Sequence, residues 1–145
     1  MRKAWMPAVS LIVVSLMWLC SPAGAEDSYA GYPGPEGMYA QVRALAEEFP
    51  EMVKTGEYGR SVRDRPLLYV RIERSGGQEE KGEAMIAANI HGNEWISNRV
   101  AMAAARRLLE ESRSDPWVSA MLDRIVFYVL PCLNPDGYYE TWENR

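Results

Sequence analysis

The segment Ile86–Asn98, IAANIHGNEWISN, holds His91, the only histidine of the 145-residue chain, with Glu94 three positions later. Imidazole nitrogen and carboxylate oxygen are both good donors to Zn²⁺. A hydrolytic zinc site typically takes two histidines and a glutamate and keeps a fourth position for water, whose pKa then falls to about 7. His91 closes an apolar run of strand length and Glu94 opens a helical pattern, so the two side chains can reach a common point about one helical turn wide. With a single histidine, the pair is at most part of such a site. Spacing alone is equally satisfied by a histidine that hydrogen-bonds its own turn, with Glu94 favouring the positive end of a helix dipole.

The elements around the pair decide how much weight it carries. Glu83–Ile90, EAMIAANI, is a nearly continuous apolar run, as expected for a strand covered on both faces. Gly92 and Asn93 break it, and a helix is predicted from Glu94 to Glu111, with Ile96, Val100, Ala103, Ala104, Arg107 and Leu108 marking one stripe and its edge. Ser114 and Asp115 before Pro116 predict a short capped helix, Pro116–Leu122. Ile125–Leu130, IVFYVL, reads as a strand and ends at PCLNPDG, Pro131–Gly137, a dense turn signal. A strand-helix-strand unit implies parallel strands, and parallel sheets place ligand sites outside the carboxyl ends of their strands. If the two strands are neighbours, HGNEW and LNPDG share that edge.

Upstream, Met38, Val42, Leu45, Ala46 and Phe49 recur at helical spacing until Pro50. Val53–Tyr58 and Leu67–Ile72 form a predicted β-hairpin whose polar turn is framed by Gly59 and Pro66. The fold class is therefore α/β, with a mixed, partly parallel sheet and helices on both faces. Glu26–Gly37, rich in Gly and Pro, reads as a linker or extended arm.

The first 25 residues have another character. Arg2 and Lys3 precede an uncharged apolar stretch, Ala8–Leu19, and Ala23-Gly24-Ala25 supplies the small residues that a signal peptidase requires. The apolar stretch is shorter than the roughly 20 residues of a spanning helix, so a cleaved signal peptide is expected rather than a membrane anchor. The product would be secreted or periplasmic. Cleavage after Ala25 removes two of the 16 basic residues and none of the 20 acidic ones, moving the formal net charge from -4 to about -6. That balance, with no basic stripe, excludes a nucleic-acid partner. Cys132 would be the only remaining cysteine, which excludes an internal disulfide and reads as a buried thiol.

Several short motifs occur in a telling order: Glu48-Phe49-Pro50 closing a helix, then G-x-S-x-x-x-R-P-L from Gly59 to Leu67, a strand, His91-x-x-Glu94-Trp95, a long helix, a strand, and Asn134-Pro-Asp-Gly-Tyr138. Each is modest alone, and NPDG by itself says only turn. Together they resemble the zinc carboxypeptidases of the carboxypeptidase A type, the M14 metallopeptidases, over nearly all of the chain that follows the signal.

The resemblance implies a metallocarboxypeptidase acting on peptide or protein C-termini, with one zinc held by His91, Glu94 and a second histidine. It makes Glu94 a ligand rather than the general base, and gives Asn134–Gly137 a structural rather than catalytic role. Asn93 stands where digestive members carry an arginine. In the family the third ligand, the carboxylate-binding arginines, the recognition tyrosine and the general-base glutamate all follow NPDGY. Residues 38–145 are accordingly expected to be the amino-terminal part of a catalytic domain, inactive alone and without a catalytic residue of their own; substrate-binding residues are not assigned. A peptidase for cell-wall peptides of the same family and a non-catalytic module retaining the fold are the alternatives. An amidase-like deacylase sharing an HGNE turn fits the Trp95 and NPDGY context less well.

Overall fold

A computed structural model of the chain describes residues 31–76 and 80–145. The expected signal peptide, 1–25, and residues 26–30 of the expected linker lie outside the described residues.

The first helix, α1, spans Pro35–Glu48. It begins three residues before the apolar pattern, inside the segment read as linker, because Pro35 occupies the first turn, where a missing N–H costs nothing. Met38, Val42, Leu45 and Phe49 lie along one buried face. Phe49 leaves helical geometry at φ -128°, as the steric demand of Pro50 on its predecessor requires.

The expected hairpin follows: β1, Val53–Arg60, pairs antiparallel with β2, Pro66–Ile72, from Val53 opposite Ile72 to Arg60 opposite Pro66. Its register shifts between Glu57 and Gly59, and Asp64 in the tip takes the left-handed conformation, φ 59°, which aspartate tolerates better than most residues. β3, Gly82–Ala87, is followed by α2, Trp95–Glu111, then α3, Pro116–Leu122, and β4, Ile125–Leu130. The Asp115 carboxylate caps α3 by accepting from the Trp117 N–H. A last helix, α4, spans Pro135–Glu143.

The sheet order is β1-β2-β4-β3. β2 pairs antiparallel with β4, and β4 parallel with β3, from Gly82 beside Ile125 to Ala87 beside Leu130. This is the expected mixed, partly parallel α/β sheet. Val70, Ile72 and Val129 share one continuous core with Val42 and Leu45 of α1, Phe49 just beyond it, Ala101, Met102, Ala105 and Leu109 of α2, and Leu122 of α3. Tyr69, Arg71 and Tyr128 occupy the sheet's other face, where Arg71 Nε donates to the Tyr128 hydroxyl at 3.3 Å.

Three expectations are corrected. β3 is the edge of the described sheet rather than a strand covered on both faces: Ile86 packs on the core, whereas Met85 is 68% exposed. Burial in that apolar run concentrates beyond the strand, at Ala88 and Asn89. The buried stripe of α2 is Trp95, Asn98, Ala101, Met102, Ala105 and Leu109, out of phase with the predicted stripe, and Ile96 and Val100 are 54% and 60% exposed. Specific anchors set that phase. Trp95 docks among aromatic rings, the Asn98 carboxamide donates to the Pro131 carbonyl at 3.0 Å, and Ala101 and Ala105 permit close packing on the core. Finally, NPDG is the first turn of α4 rather than only a turn, because Asn134 accepts at 2.8 Å from the Gly137 N–H as an N-cap.

Candidate metal centre

Because β3 and β4 are parallel neighbours, the segments 88–94 and 131–137 leave the sheet at the same carboxyl edge. Backbone hydrogen bonds extend the pairing past the strands: Ala88 N–H to the Leu130 carbonyl at 3.0 Å, Leu133 N–H to Ala88 at 2.9 Å, and Asn134 N–H to Asn89 at 3.1 Å. The Asn134 amide also donates to the Ile90 carbonyl at 3.2 Å, so the cap of α4 holds the residue just before His91. Beyond it, Gly92 and Gly137 touch through their backbones with no room for a side chain on Gly92.

This edge brings together the two candidate donors. His91 Nδ1 lies 3.1 Å from Glu94 Oε1, with the side chains 71% and 45% exposed. Glu94 is the N-cap residue of α2 rather than part of its first turn. For Zn–N and Zn–O bonds of roughly 2.0–2.2 Å at a tetrahedral angle, neighbouring donors stand about 3.3 Å apart. The observed 3.1 Å is a hydrogen-bond distance, and the same separation and donor types also fit a shared metal ion. Among the described residues no group of three or more His, Cys, Asp or Glu side chains is placed to hold one.

Several residues that sequence reasoning passed over support this pair. Asn89, in the left-handed region at φ 55° and 1% exposed, donates from its carboxamide to the His91 carbonyl at 3.1 Å and from its N–H to the Ser97 hydroxyl at 2.8 Å. Ser97 in turn donates to the Glu94 carbonyl at 2.7 Å. The available signals were an asparagine two residues before the histidine, a residue type enriched at positive φ, and a serine three residues after the glutamate.

Trp95 is a packing residue. It is buried against Tyr32, Tyr138 and Trp142, and its Nε1–H donates to the Thr141 hydroxyl at 3.1 Å. That hydroxyl lies 2.9 Å from the carbonyl of Gly92, which ties α4 to the His91 turn once more. The hairpin tip joins the same assembly. Asp136 accepts from the Ser61 hydroxyl at 2.8 Å, the Arg63 N–H at 3.1 Å and the Arg65 guanidinium at 3.0 Å. Burial alone would raise the Asp136 carboxyl, but these hydrogen bonds and the Arg65 charge together hold it below its ordinary value. The motifs GRSVRDRPL and NPDG are thus two halves of one contact. An open cleft of about 550 Å³, bordered by Tyr39, Thr55, Glu57, Arg65 and Tyr139, includes neither His91 nor Glu94.

The chain belongs to the zinc carboxypeptidase family, peptidase M14, whose family model matches residues 38–145. Carboxypeptidase A4 of Mus musculus is 33% identical over 119 residues, 81% of this chain and 28% of that protein. Mast cell carboxypeptidase A of Homo sapiens is 32% identical over 120 residues, again 81% and 28%. Among solved structures, thrombin activatable fibrinolysis inhibitor superposes with a TM-score of 0.72 at 26% identity, over 77% of this chain and 28% of that one. Carboxypeptidase A from Helicoverpa armigera gives 0.67 at 25%, over 92% and 33%. The chain thus spans just over a quarter of the length of these curated relatives.

Proposed function

We propose that residues 38–145 are the amino-terminal part of the catalytic domain of a zinc metallocarboxypeptidase, which removes C-terminal residues from peptides, and that His91 and Glu94 are two of its three zinc ligands. The observation that carries this reading is the 3.1 Å approach of His91 Nδ1 to Glu94 Oε1 at the carboxyl edge of the parallel strand pair. Family membership and the names of the curated relatives support the reaction class.

In this reading His91 offers Nδ1 as the donor and keeps its ring proton on the other nitrogen. Glu94 contributes a carboxylate from the start of a helix whose first residue is anchored by aromatic packing. Zinc bound there would polarise the scissile carbonyl and lower the pKa of a water to about 7. Since His91 is the sole histidine of the 145 residues, the second histidine ligand has no counterpart among them. The 145 residues alone are therefore expected to bind zinc weakly and to be inactive. The leader read in residues 1–25 would place the enzyme outside the cytoplasm, secreted or periplasmic.

The test uses the catalytic domain completed by its downstream sequence, assayed on linear peptides and on cell-wall peptides. His91→Ala and Glu94→Ala should each lower zinc-dependent release of C-terminal residues by more than the roughly 10–100-fold typical of losing an outer partner of a metal site. Undiminished activity in either variant overturns the ligand assignment, and release from cell-wall peptides alone redirects the substrate class.

A further inference from the structure

Asn89 and Ser97 close a ring of hydrogen bonds around the backbone of the two candidate donors. The Asn89 N–H donates to Ser97 Oγ at 2.8 Å, and Ser97 Oγ donates to the Glu94 carbonyl at 2.7 Å. The Glu94 N–H donates to the His91 carbonyl at 3.1 Å, and the Asn89 carboxamide reaches that same carbonyl at 3.1 Å. The Asn89 carbonyl accepts from Asn134, which binds the ring to the end of β4. The His91 side chain is mostly exposed and that of Glu94 about half so, and apart from their mutual contact at 3.1 Å their placement depends on the backbone beneath them, where Asn89 is buried and Ser97 half-buried.

We propose that Asn89 and Ser97 are positioning residues for the metal centre, setting the distance between His91 Nδ1 and Glu94 Oε1 through the backbone that carries them. The inference rests on the ligand reading of that pair. Its physical content is preorganisation: donors held near their final separation lose less conformational freedom on binding a cation than donors on a loose turn. Asn89 combines a left-handed backbone with a carboxamide that folds forward onto the His91 carbonyl, and asparagine supplies both that conformation and the amide donor. Glycine would supply the conformation alone.

The test reads metal binding directly. His91 is the only histidine, so its ring gives a single set of NMR resonances with which to follow Zn²⁺ titration of the full 145-residue chain. Asn89→Gly and Ser97→Ala should each weaken zinc binding at His91 by about tenfold, while Ser97→Thr, which keeps the hydroxyl, should restore it. Val118→Ala, a buried truncation in α3, serves as the stability control and should lower the melting temperature with zinc affinity unchanged. Wild-type affinity in Asn89→Gly and Ser97→Ala overturns the positioning role alone. A zinc-dependent His91 shift that Glu94→Ala leaves intact removes the ligand reading and this inference with it, and so does the absence of any shift up to millimolar Zn²⁺, where even a weak two-donor site is occupied.

Discussion

Gly92 and Gly137 stand backbone against backbone, so that a methyl group on Gly92 would fall 2.3 Å from the Gly137 carbonyl carbon. This contact is where the donor turn meets the first turn of α4, and neither side has a flexible side chain that could yield. Overpacking a core typically costs 1–3 kcal/mol, and here backbone must shift, so Gly92→Ala should destabilise by about 3 kcal/mol or more. Gly82→Ala, whose new methyl would meet only the Arg124 carbonyl at 3.8 Å, is the matched control. Urea unfolding midpoints check the pair; a Gly92→Ala chain as stable as Gly82→Ala would contradict the contact.

Asp136 links the hairpin tip to α4, and its depressed carboxyl gives the contact a pH signature. A carboxyl group held below its unfolded value stabilises the fold above that unfolded value, about 3.9, and the contribution disappears as pH falls through the lower folded one. Asp136→Asn should therefore be less stable than wild type at neutral pH, and the difference should shrink below about pH 4. Thermal melts of both proteins from pH 6 to 2.5 measure this. A difference that stays constant through the acid range would remove the carboxylate from the explanation.

Trp95 fixes the rotational phase of α2 through its contacts with Tyr138 and Trp142. Trp95→Ala should cost about 3–5 kcal/mol, as expected for emptying a buried aromatic site. Trp95→Phe retains most of the packing and forfeits the 3.1 Å hydrogen bond to Thr141, for a cost nearer 1–2 kcal/mol. Chemical denaturation gives both values, and equal costs would show that packing is not the dominant contribution.

Cys132 is buried, and burial pushes its thiol up to about 12 despite an opposing hydrogen bond from the Asn134 backbone. Since the thiolate is the reactive form, native Cys132 should resist a disulfide reagent at neutral pH and react readily once the chain is unfolded in denaturant. Fast, stoichiometric labelling of Cys132 in the folded protein would refute the assignment.

Much of the architecture was legible because local chemistry and tertiary structure agree. The period of Met38, Val42 and Leu45, the proline that ends α1, the cap at Asp115 and the β-branched run in Ile125–Leu130 each encode one conformation within a few residues. The proximity of His91 and Glu94 was legible for the same reason, as a break between an apolar run and a helical pattern.

The miscast elements fail where the deciding partner is distant in sequence. Periodicity cannot distinguish an edge strand from a covered one when the run is apolar throughout, so the exposed side of Met85 emerged only with the strand order. Nor can it fix the phase of a helix rich in alanine, where Trp95 meeting Tyr138 and Asn98 meeting Pro131 outweigh the exposed Ile96 and Val100.

The amino-acid sequence by itself determined the element order, the α/β class, the His91–Glu94 spacing and the motif set that marks the family, because these reside in residue types and short spacings. Tertiary structure decided that β3 and β4 are parallel neighbours, that Gly92 meets Gly137, that Asp136 joins Ser61 and Arg65, and that Asn89 and Ser97 brace the donor turn. Those relationships join residues up to 75 positions apart. Only the packing that brings such residues together can specify them.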